Sequence, residues 1–269
     1  MLEAYVFNDE CHLPFVQNDP MRLTVVGCAG SFPGPESSAS CYLFEAEGFR
    51  LVIDMGNGAL GALQRYTGLF DIDAVCLSHL HADHCVDLYQ YQIARRYAPG
   101  GPRPKIPVYG PEGTADRIAM IHGPGSDDGI ADSFTFRTLT PATQSIGPFT
   151  VTTGYVNHPV TTFGFRIEQG GRTVAYSGDT GPSDELVRLA RGADVLLCEA
   201  SFLDGPDLPT NVHLTASQAA EHATRAGVGE LVLTHLVAWN DPMRSVGDAV
   251  GAFDGTVTAA EAGLVMTVG

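Results

Sequence analysis

The sequence is poor in basic residues and in long apolar runs, and each shortage excludes a class of protein. Lys and Arg number 15 against 31 Asp and Glu, a formal net charge of −16. Because nucleic-acid binding depends on clustered Lys and Arg, no nucleic-acid partner is expected. The longest apolar runs fall short of the roughly 18 residues of a membrane span, and no secretion signal is recognisable at the N-terminus, so no membrane partner is expected either.

Cysteines are few and scattered, without the CxxC spacing of redox or zinc motifs. Several of them lie inside apolar runs such as AVCLS and VLLCEA. Reduced core thiols of a cytoplasmic protein are therefore expected. The six cysteines are Cys11, Cys28, Cys41, Cys76, Cys85 and Cys198.

Strand-like and helix-like segments alternate after an irregular lead over residues 1–20, which indicates an α/β fold with helices covering sheets. The predicted strands are 22–27, 41–46, 50–54, 73–78, 106–109, 134–139, 149–156, 162–168, 172–177, 194–198, 230–234 and 263–268. The predicted helices are 58–67, 84–98, 111–122, 183–191, 215–227 and 243–253. The segment 123–133, GPGSDDGIADS, is expected to be a mobile polar loop.

Short apolar runs repeatedly end in a single His, Asp or Glu, as in LVID, VCLSH, VNH, VAYSGD, VLLCE and LVLTH. The residues at these ends are Asp54, His79, His158, Asp179, Glu199 and His235. Functional groups of α/β proteins gather where strands end and loops begin. The pattern therefore predicts one shared rim of metal-binding and carboxylate groups.

The run His79-Leu-His81-Ala-Asp83-His84 is the strongest chemical signal. Three His and one Asp within six residues supply nitrogen and oxygen ligands for two metal ions. A surface histidine cluster is the alternative interpretation, but further candidate ligands follow at strand ends. Taken singly, His158, His235 or Asp179 would be read as structural residues; their order after the cluster favours metal binding.

HxHxDH, a lone His, SGDT and a late His after a strand together resemble the metallo-β-lactamase superfamily. Within it, LSHLHADHCVDL, AYSGDTG, LLCEASF and AFDGTV are similar to the ribonuclease Z and phosphodiesterase branch, and most of all to bacterial atypical class II cyclic-AMP phosphodiesterases. The resemblance covers about residues 21–260. It implies an αββα sandwich of two mixed sheets flanked by helices, an N-terminal extension over 1–20, a single domain over 21–269, and a homodimer.

The resemblance also assigns the ligands. His79, His81 and His158 would bind one metal; Asp83, His84 and His235 would bind the other. Asp179 would bridge them, and Asp54 would orient the HxHxDH loop. Two Zn²⁺ ions are expected, with Mn²⁺ as the alternative, because the ligands are all nitrogen and oxygen.

His213 resembles the proton-donating histidine of the ribonuclease Z branch, and Glu199 resembles the carboxylate that orients it. An exposed residue at a helix entry is the alternative for His213. With two metals, Asp83 would orient a water and His213 would protonate the departing alkoxide. The expected function is hydrolysis of small phosphodiesters, with 3′,5′-cyclic AMP giving 5′-AMP.

Two features depart from ribonuclease Z. His158 and Asp179 are 21 residues apart, which leaves no room for a long basic arm, and SFPGPESSAS stands where that family has a basic PxKxRN loop. Hydrolysis of another ester class (a lactone or a thioester), a ribonuclease Z-like nuclease and a non-catalytic binding protein remain the alternatives.

The sequence gives only weak signals for the residues of the rim that would contact the substrate. Candidates for base stacking or phosphate contact are Phe32, Pro33, Ser201, Phe202, Trp239 and Asn240. An aromatic residue on a rim is as often a dimer contact.

Overall fold

Two β-sheets face each other in the computed structural model, which describes residues 20–268 except 124–128. Within these residues one sheet has nine strands and the other seven. The strands are β1 (Met21–Gly30), β2 (Ser38–Ala39), β3 (Cys41–Ala46), β4 (Phe49–Ile53), β5 (Ala74–Cys76), β6 (Ile106–Gly110), β7 (Phe134–Thr138), β8 (Thr143–Ile146), β9 (Phe149–Tyr155), β10 (Phe163–Gln169), β11 (Arg172–Tyr176), β12 (Val195–Glu199), β13 (Glu230–Thr234), β14 (Leu236–Val237), β15 (Thr256–Ala259) and β16 (Val265–Val268). The helices are α1 (Ala59–Leu63), α2 (Ala82–Cys85), α3 (Asp87–Arg96), α4 (Thr114–His122), α5 (Ile130–Ser133), α6 (Asp184–Ala190), α7 (Ala216–Ala226) and α8 (Pro242–Val250).

Both sheets are mixed. The first runs in the order β14-β1-β3-β4-β5-β6-β7, with β2 and β16 also paired to β1. The second runs β15-β13-β12-β11-β10-β9-β8. Aromatic side chains such as Tyr42, Phe44, Phe165 and Tyr176 fill the core between the sheets. Separate apolar clusters join the first sheet to α1–α5 and the second to α6–α8. The predicted αββα sandwich of two mixed sheets flanked by helices is confirmed.

Local sequence signals explain where several helices begin and end. Thr215 and Gln218 form a capping box at the start of α7, and Gly227 ends that helix with φ 65°. Ser183 caps α6 by accepting from the Leu186 N–H at 3.3 Å. These contacts satisfy backbone groups that a helix leaves unpaired at its ends.

The predicted helix over 84–98 is wrong in extent, because α2 begins at Ala82 and α3 follows it after a break at Val86. The cause is the loop after β4. Met55 donates its N–H to the His84 carbonyl at 2.7 Å and accepts from the Asp87 N–H at 3.0 Å. The His84 carbonyl and the Asp87 N–H therefore bond to the loop and not along a continuous helix. A Cβ on Gly56 would lie 2.0 Å from the Asp83 carbonyl oxygen, so only glycine permits this approach.

Other differences concern short elements. The strands β8 and β15 were not predicted; they are polar edge strands, TQSI and TVTA, with little apolar alternation. The predicted loop 123–133 contains α5 at its end, and residues 124–128 lie outside the described part. The predicted N-terminal extension falls outside it too, except for Pro20, and so does Cys11. Among the described residues, no helix is both long and apolar enough to cross a membrane.

Candidate metal centre

The strand-end residues of both sheets meet at one edge of the sandwich. His79 lies in the turn after β5. His158, Asp179 and His235 follow β9, β11 and β13. The strands β9 and β11 both run antiparallel to β10, and β11, β12 and β13 are parallel. Their carboxyl ends therefore point the same way and deliver these side chains to a common place.

The structure brings all seven predicted ligands together in two groups that share one residue. Within each group the donor atoms lie within 4.8 Å of one another. The groups are His79, His81, His158 and Asp179, and Asp83, His84, Asp179 and His235. Asp179 belongs to both, as expected of a bridging carboxylate.

The separations between donor atoms suit metal ions. His81 Nδ1 lies 3.0 Å from His79 Nε2 and 3.3 Å from His158 Nε2. In the second group, His235 Nε2 lies 3.2 Å from His84 Nε2. A tetrahedral zinc ion with bonds of about 2.05 Å holds its ligand atoms about 3.3 Å apart. The residues therefore fit two such ions.

The surroundings of Asp179 are an independent indication of a metal site. Its Oδ1 is buried, lies 3.2 Å from His84 Nε2, and accepts no regular hydrogen bond from any described residue. Its Oδ2 lies 3.6 Å from His79 Nε2. A buried carboxylate oxygen without a hydrogen-bond donor is costly unless a cation satisfies it.

Asp54 organises the HxHxDH loop from beneath. It is fully buried, and its Oδ1 accepts from the Ser78 N–H at 2.7 Å. Its Oδ2 accepts from the Ser78 hydroxyl, the Tyr176 hydroxyl and His84 Nδ1, each at 2.8 Å. Since Ser78 Oγ donates to Asp54, it accepts from His79 Nδ1 at 3.1 Å. Both imidazoles therefore keep Nε2 free for a metal.

The lone histidines are oriented in the same manner. His158 Nδ1 donates to the Val212 carbonyl at 2.8 Å. The Ser201 hydroxyl donates to the His235 carbonyl at 2.8 Å and accepts from His235 Nδ1 at 2.7 Å. In each case Nδ1 carries the proton, so Nε2 faces the other candidate metal ligands.

Strained backbone surrounds the centre. Ser31, Asp54 and His235 have φ values of 63°, 61° and 54°, in the left-handed region that residues other than glycine rarely adopt. Such conformations persist where the surrounding structure holds them, and they concentrate at functional sites.

Burial and opposite charge set the ionisation of the ligands. Burial, with His84 beside it, lowers the pKa of the His79 imidazole well below its ordinary value. Burial acts against charge on Asp179, but His235, His84 and His79 outweigh it and hold the pKa of this carboxyl well below its usual range. For His84, the carboxylates of Asp179 and Asp54 outweigh burial and raise the pKa well above its ordinary value.

The predicted pair of His213 and Glu199 is present at the same centre. His213 Nδ1 donates to Glu199 Oε1 at 2.9 Å, and Glu199 is fully buried. Glu199 also accepts from the Thr180 N–H at 2.8 Å and from the Ser201 N–H at 3.2 Å, which fixes its carboxylate. Against burial, this contact raises the pKa of the His213 imidazole.

Sequence reasoning missed several residues that orient the ligands. Ser78, Tyr176 and Val212 are among them, and Ser201 appeared only as a candidate rim residue. Ser78 is the neighbour of His79 and could have been found for that reason. Tyr176 and the Val212 carbonyl have no local signal, because their partners are 122 and 54 residues away.

Comparison with known proteins agrees with this geometry. The family model described as the beta-lactamase superfamily domain matches residues 50–236. An uncharacterized protein of Mycobacterium tuberculosis is 44% identical over 244 residues, 89% of either chain. A ribonuclease Z of Mycolicibacterium gilvum is 33% identical over 246 residues, 82% of this chain and 86% of that one.

A solved structure extends the likeness. The metallo-beta-lactamase fold protein YhfI of Bacillus subtilis, named a probable metallo-hydrolase, is 33% identical over 249 residues. Its crystal structure matches with a TM-score of 0.82 over 92% of this chain and 99% of that one. The chain therefore belongs to the beta-lactamase superfamily and is a metallo-hydrolase related to YhfI and ribonuclease Z.

Proposed function

We propose that this chain is a phosphodiesterase that hydrolyses small phosphodiesters, above all 3′,5′-cyclic nucleotides such as cyclic AMP. The observation that carries the proposal is the position of the His213–Glu199 pair. The His213 ring centroid lies 5.6 Å from that of His158 and 5.4 Å from that of His235. The candidate proton donor thus lies near one candidate ligand of each group.

The seven clustered residues would hold the metals as two sets with a shared carboxylate. His79, His81 and His158 would bind one ion, Asp83, His84 and His235 the other, and Asp179 both. Zn²⁺ suits the nitrogen-rich donor set, with Mn²⁺ as the alternative. When bound, two divalent ions lower the pKa of water and withdraw charge from phosphoryl oxygens.

The chain's own residues would complete the reaction. The carboxylate of Asp83 would orient the attacking water. His213 would give its Nε2 proton to the departing O3′, a poor leaving group without one. Glu199 would hold the imidazole of His213 in place through Nδ1. Cleavage of the bond to O3′ would give the 5′-monophosphate.

The short connection between His158 and Asp179 favours small substrates over RNA. Between His158 and Asp179 the chain forms only the antiparallel pair β10 and β11, joined by Gly170 and Gly171. No basic arm emerges from these described residues. The net charge of −16 acts against a polyanion as well. Ribonuclease Z-like cleavage is the competing function, because of the 33% identity with the mycobacterial enzyme.

The deciding experiment is turnover by the chain reconstituted with Zn²⁺ or Mn²⁺. Cyclic AMP, bis(p-nitrophenyl) phosphate and a lactone should be compared at equal metal content. Hydrolysis of cyclic AMP to 5′-AMP that stops on chelation is expected. Turnover of the lactone alone would overturn the proposal.

We also propose a cytoplasmic setting, supported by the five described cysteines, all of which are buried and free. The homodimer expected from the resemblance stays a prediction.

A further inference from the structure

Two aromatic side chains beside the candidate centre contact each other at the surface. The ring centroids of Phe32 and Trp239 lie 4.9 Å apart with an interplanar angle of 42°. Trp239 is the single tryptophan of the sequence, and it is 76% exposed. Because the two rings lie side by side, they form a contiguous aromatic surface, and such a patch is a better indication of a binding site than a single exposed side chain.

Phe32 is fixed close to the donor groups. Its N–H donates to the Gly30 carbonyl at 2.8 Å, so Ser31 is the centre of a three-residue turn and takes a φ of 63°. The Ser31 backbone nitrogen in turn lies 3.3 Å from His235 Nε2. From standard backbone dimensions, the Phe32 Cα lies within about 9 Å of that ligand nitrogen.

The turn that carries Trp239 is held by its neighbour Asn240. Asn240 donates its N–H to the Val237 carbonyl at 2.8 Å and its Nδ2 to the Ser201 carbonyl at 3.2 Å. Ser201 itself contacts His235 through its hydroxyl. The turn that carries Trp239 is therefore tied to the residue that orients a candidate ligand.

The two loops also pack directly on each other. A Cβ on Gly34 would lie 2.9 Å from the Cβ of Ala238, a separation that leaves no space for a side chain. The aromatic pair is thus the exposed end of a contact between two fixed loops. A preorganised surface of this kind costs little entropy when a ligand binds.

We infer that Phe32 and Trp239 form a platform on which the base of the nucleotide stacks while its phosphate lies at the metal centre. The inference rests on the proposed function and deepens it. Stacking needs no positive charge, so it suits a chain as acidic as this one, and every base offers a flat π face. Phe202 instead contacts His213, with ring centroids 5.2 Å apart and an interplanar angle of 89°.

The test compares two ligands that differ in the base alone, 5′-AMP and ribose 5-phosphate. Each is titrated as an inhibitor of cyclic AMP hydrolysis by the wild type, Trp239→Ala, Trp239→Phe and Phe32→Ala. Trp239→Ala should weaken inhibition by 5′-AMP roughly 5- to 150-fold, the range found when a stacking aromatic is replaced by alanine. Inhibition by ribose 5-phosphate should not change, and Trp239→Phe should restore most of the loss.

Fluorescence gives a readout that does not depend on turnover. Because Trp239 is the single tryptophan, 5′-AMP should quench the emission of the wild type and ribose 5-phosphate should not. Phe32→Ala keeps the fluorophore and should need more 5′-AMP for the same quenching. Tyr97→Ala is the matched control, since Tyr97 is an aromatic residue of similar exposure, 72%, at the end of α3 and outside both loops.

The outcomes separate the platform from the proposed function. Absence of cyclic AMP hydrolysis by the wild type would overturn the proposed function, and fluorescence would still decide the platform. Unchanged affinity for 5′-AMP in Trp239→Ala would overturn the platform alone. If that variant instead lost a dimer with its 5′-AMP affinity intact, the pair would be a subunit contact.

Discussion

His158 donates from Nδ1 to the main-chain carbonyl of Val212 over 2.8 Å. Val212 is the residue before His213, so this hydrogen bond connects a candidate metal ligand to the loop that carries the candidate proton donor. The position of His213 is therefore coupled to the ligands as well as to Glu199.

Asp179→Ala should remove both metal ions, because Asp179 belongs to both donor groups. Elemental analysis after dialysis should find far less than two metals per chain, and turnover of every substrate should collapse. Circular dichroism checks that the variant is folded. Two metals with normal activity would contradict the assignment of Asp179 as the bridge.

Asp54→Asn should weaken metal binding without removing a ligand. The amide cannot accept four hydrogen bonds as the carboxylate does, so Ser78 and His84 would lose their orientation. Replacement of such an orienting partner lowers metal affinity by about 10- to 100-fold. Competition with a chelator of known affinity measures the loss, and Tyr176→Phe should show a smaller one. An unchanged affinity would mean that the loop keeps its shape without Asp54.

His213→Ala should keep both metals and slow cyclic-nucleotide hydrolysis by the roughly 10²–10⁴-fold typical of acid–base catalysis. Bis(p-nitrophenyl) phosphate should be spared, because nitrophenolate departs without a proton. Glu199→Gln should show a milder form of the same selectivity. Equal losses on both substrates with intact metals would make His213 a binding residue, and loss of metal would make it a ligand.

Precursor transfer RNA should not be cleaved. The short connection between His158 and Asp179 leaves no room for a long basic arm there, and the charge of −16 acts against binding of a polyanion. The assay incubates the metal-loaded chain with a labelled precursor and uses an authentic ribonuclease Z as the positive control. Efficient 3′ processing would establish the competing function.

His222 should make folding stability depend on pH. Its Nδ1 donates to the Gln218 carbonyl at 2.7 Å, so its Nε2 is the acceptor for the Ser183 N–H at 3.0 Å. Burial lowers the pKa of this imidazole in the folded chain. The unfolded chain therefore takes up the proton first as pH falls below about 6.5, and the stability present above that pH is lost.

The measurement is the midpoint of urea unfolding at pH values above and below 6.5. His222→Gln is the matched control, since glutamine can accept and donate at the same positions and does not titrate. The midpoint of the wild type should fall more steeply with acid than that of the variant. Identical pH dependence would show that His222 adds nothing to it.

Much of the fold and the candidate ligand set could be predicted from the sequence because both depend on local patterns. Strand positions follow from apolar alternation, and the capping box at Thr215 predicts where α7 begins. The spacing of His79, His81, Asp83 and His84 predicts two metal ions because four donor side chains occur within six residues. The strand-end positions of His158, Asp179 and His235 then predict a common rim.

Only the tertiary structure decided how these groups are held. The hydrogen bonds of Tyr176 to Asp54 and of His158 to Val212 join residues 122 and 54 positions apart. The break at Val86 depends on the loop after β4, and the contact of Phe32 with Trp239 depends on two loops meeting beside His235. Side-chain spacing along the chain reports local geometry alone, whereas tautomer, strain and exposed aromatic contacts depend on which distant segments pack together.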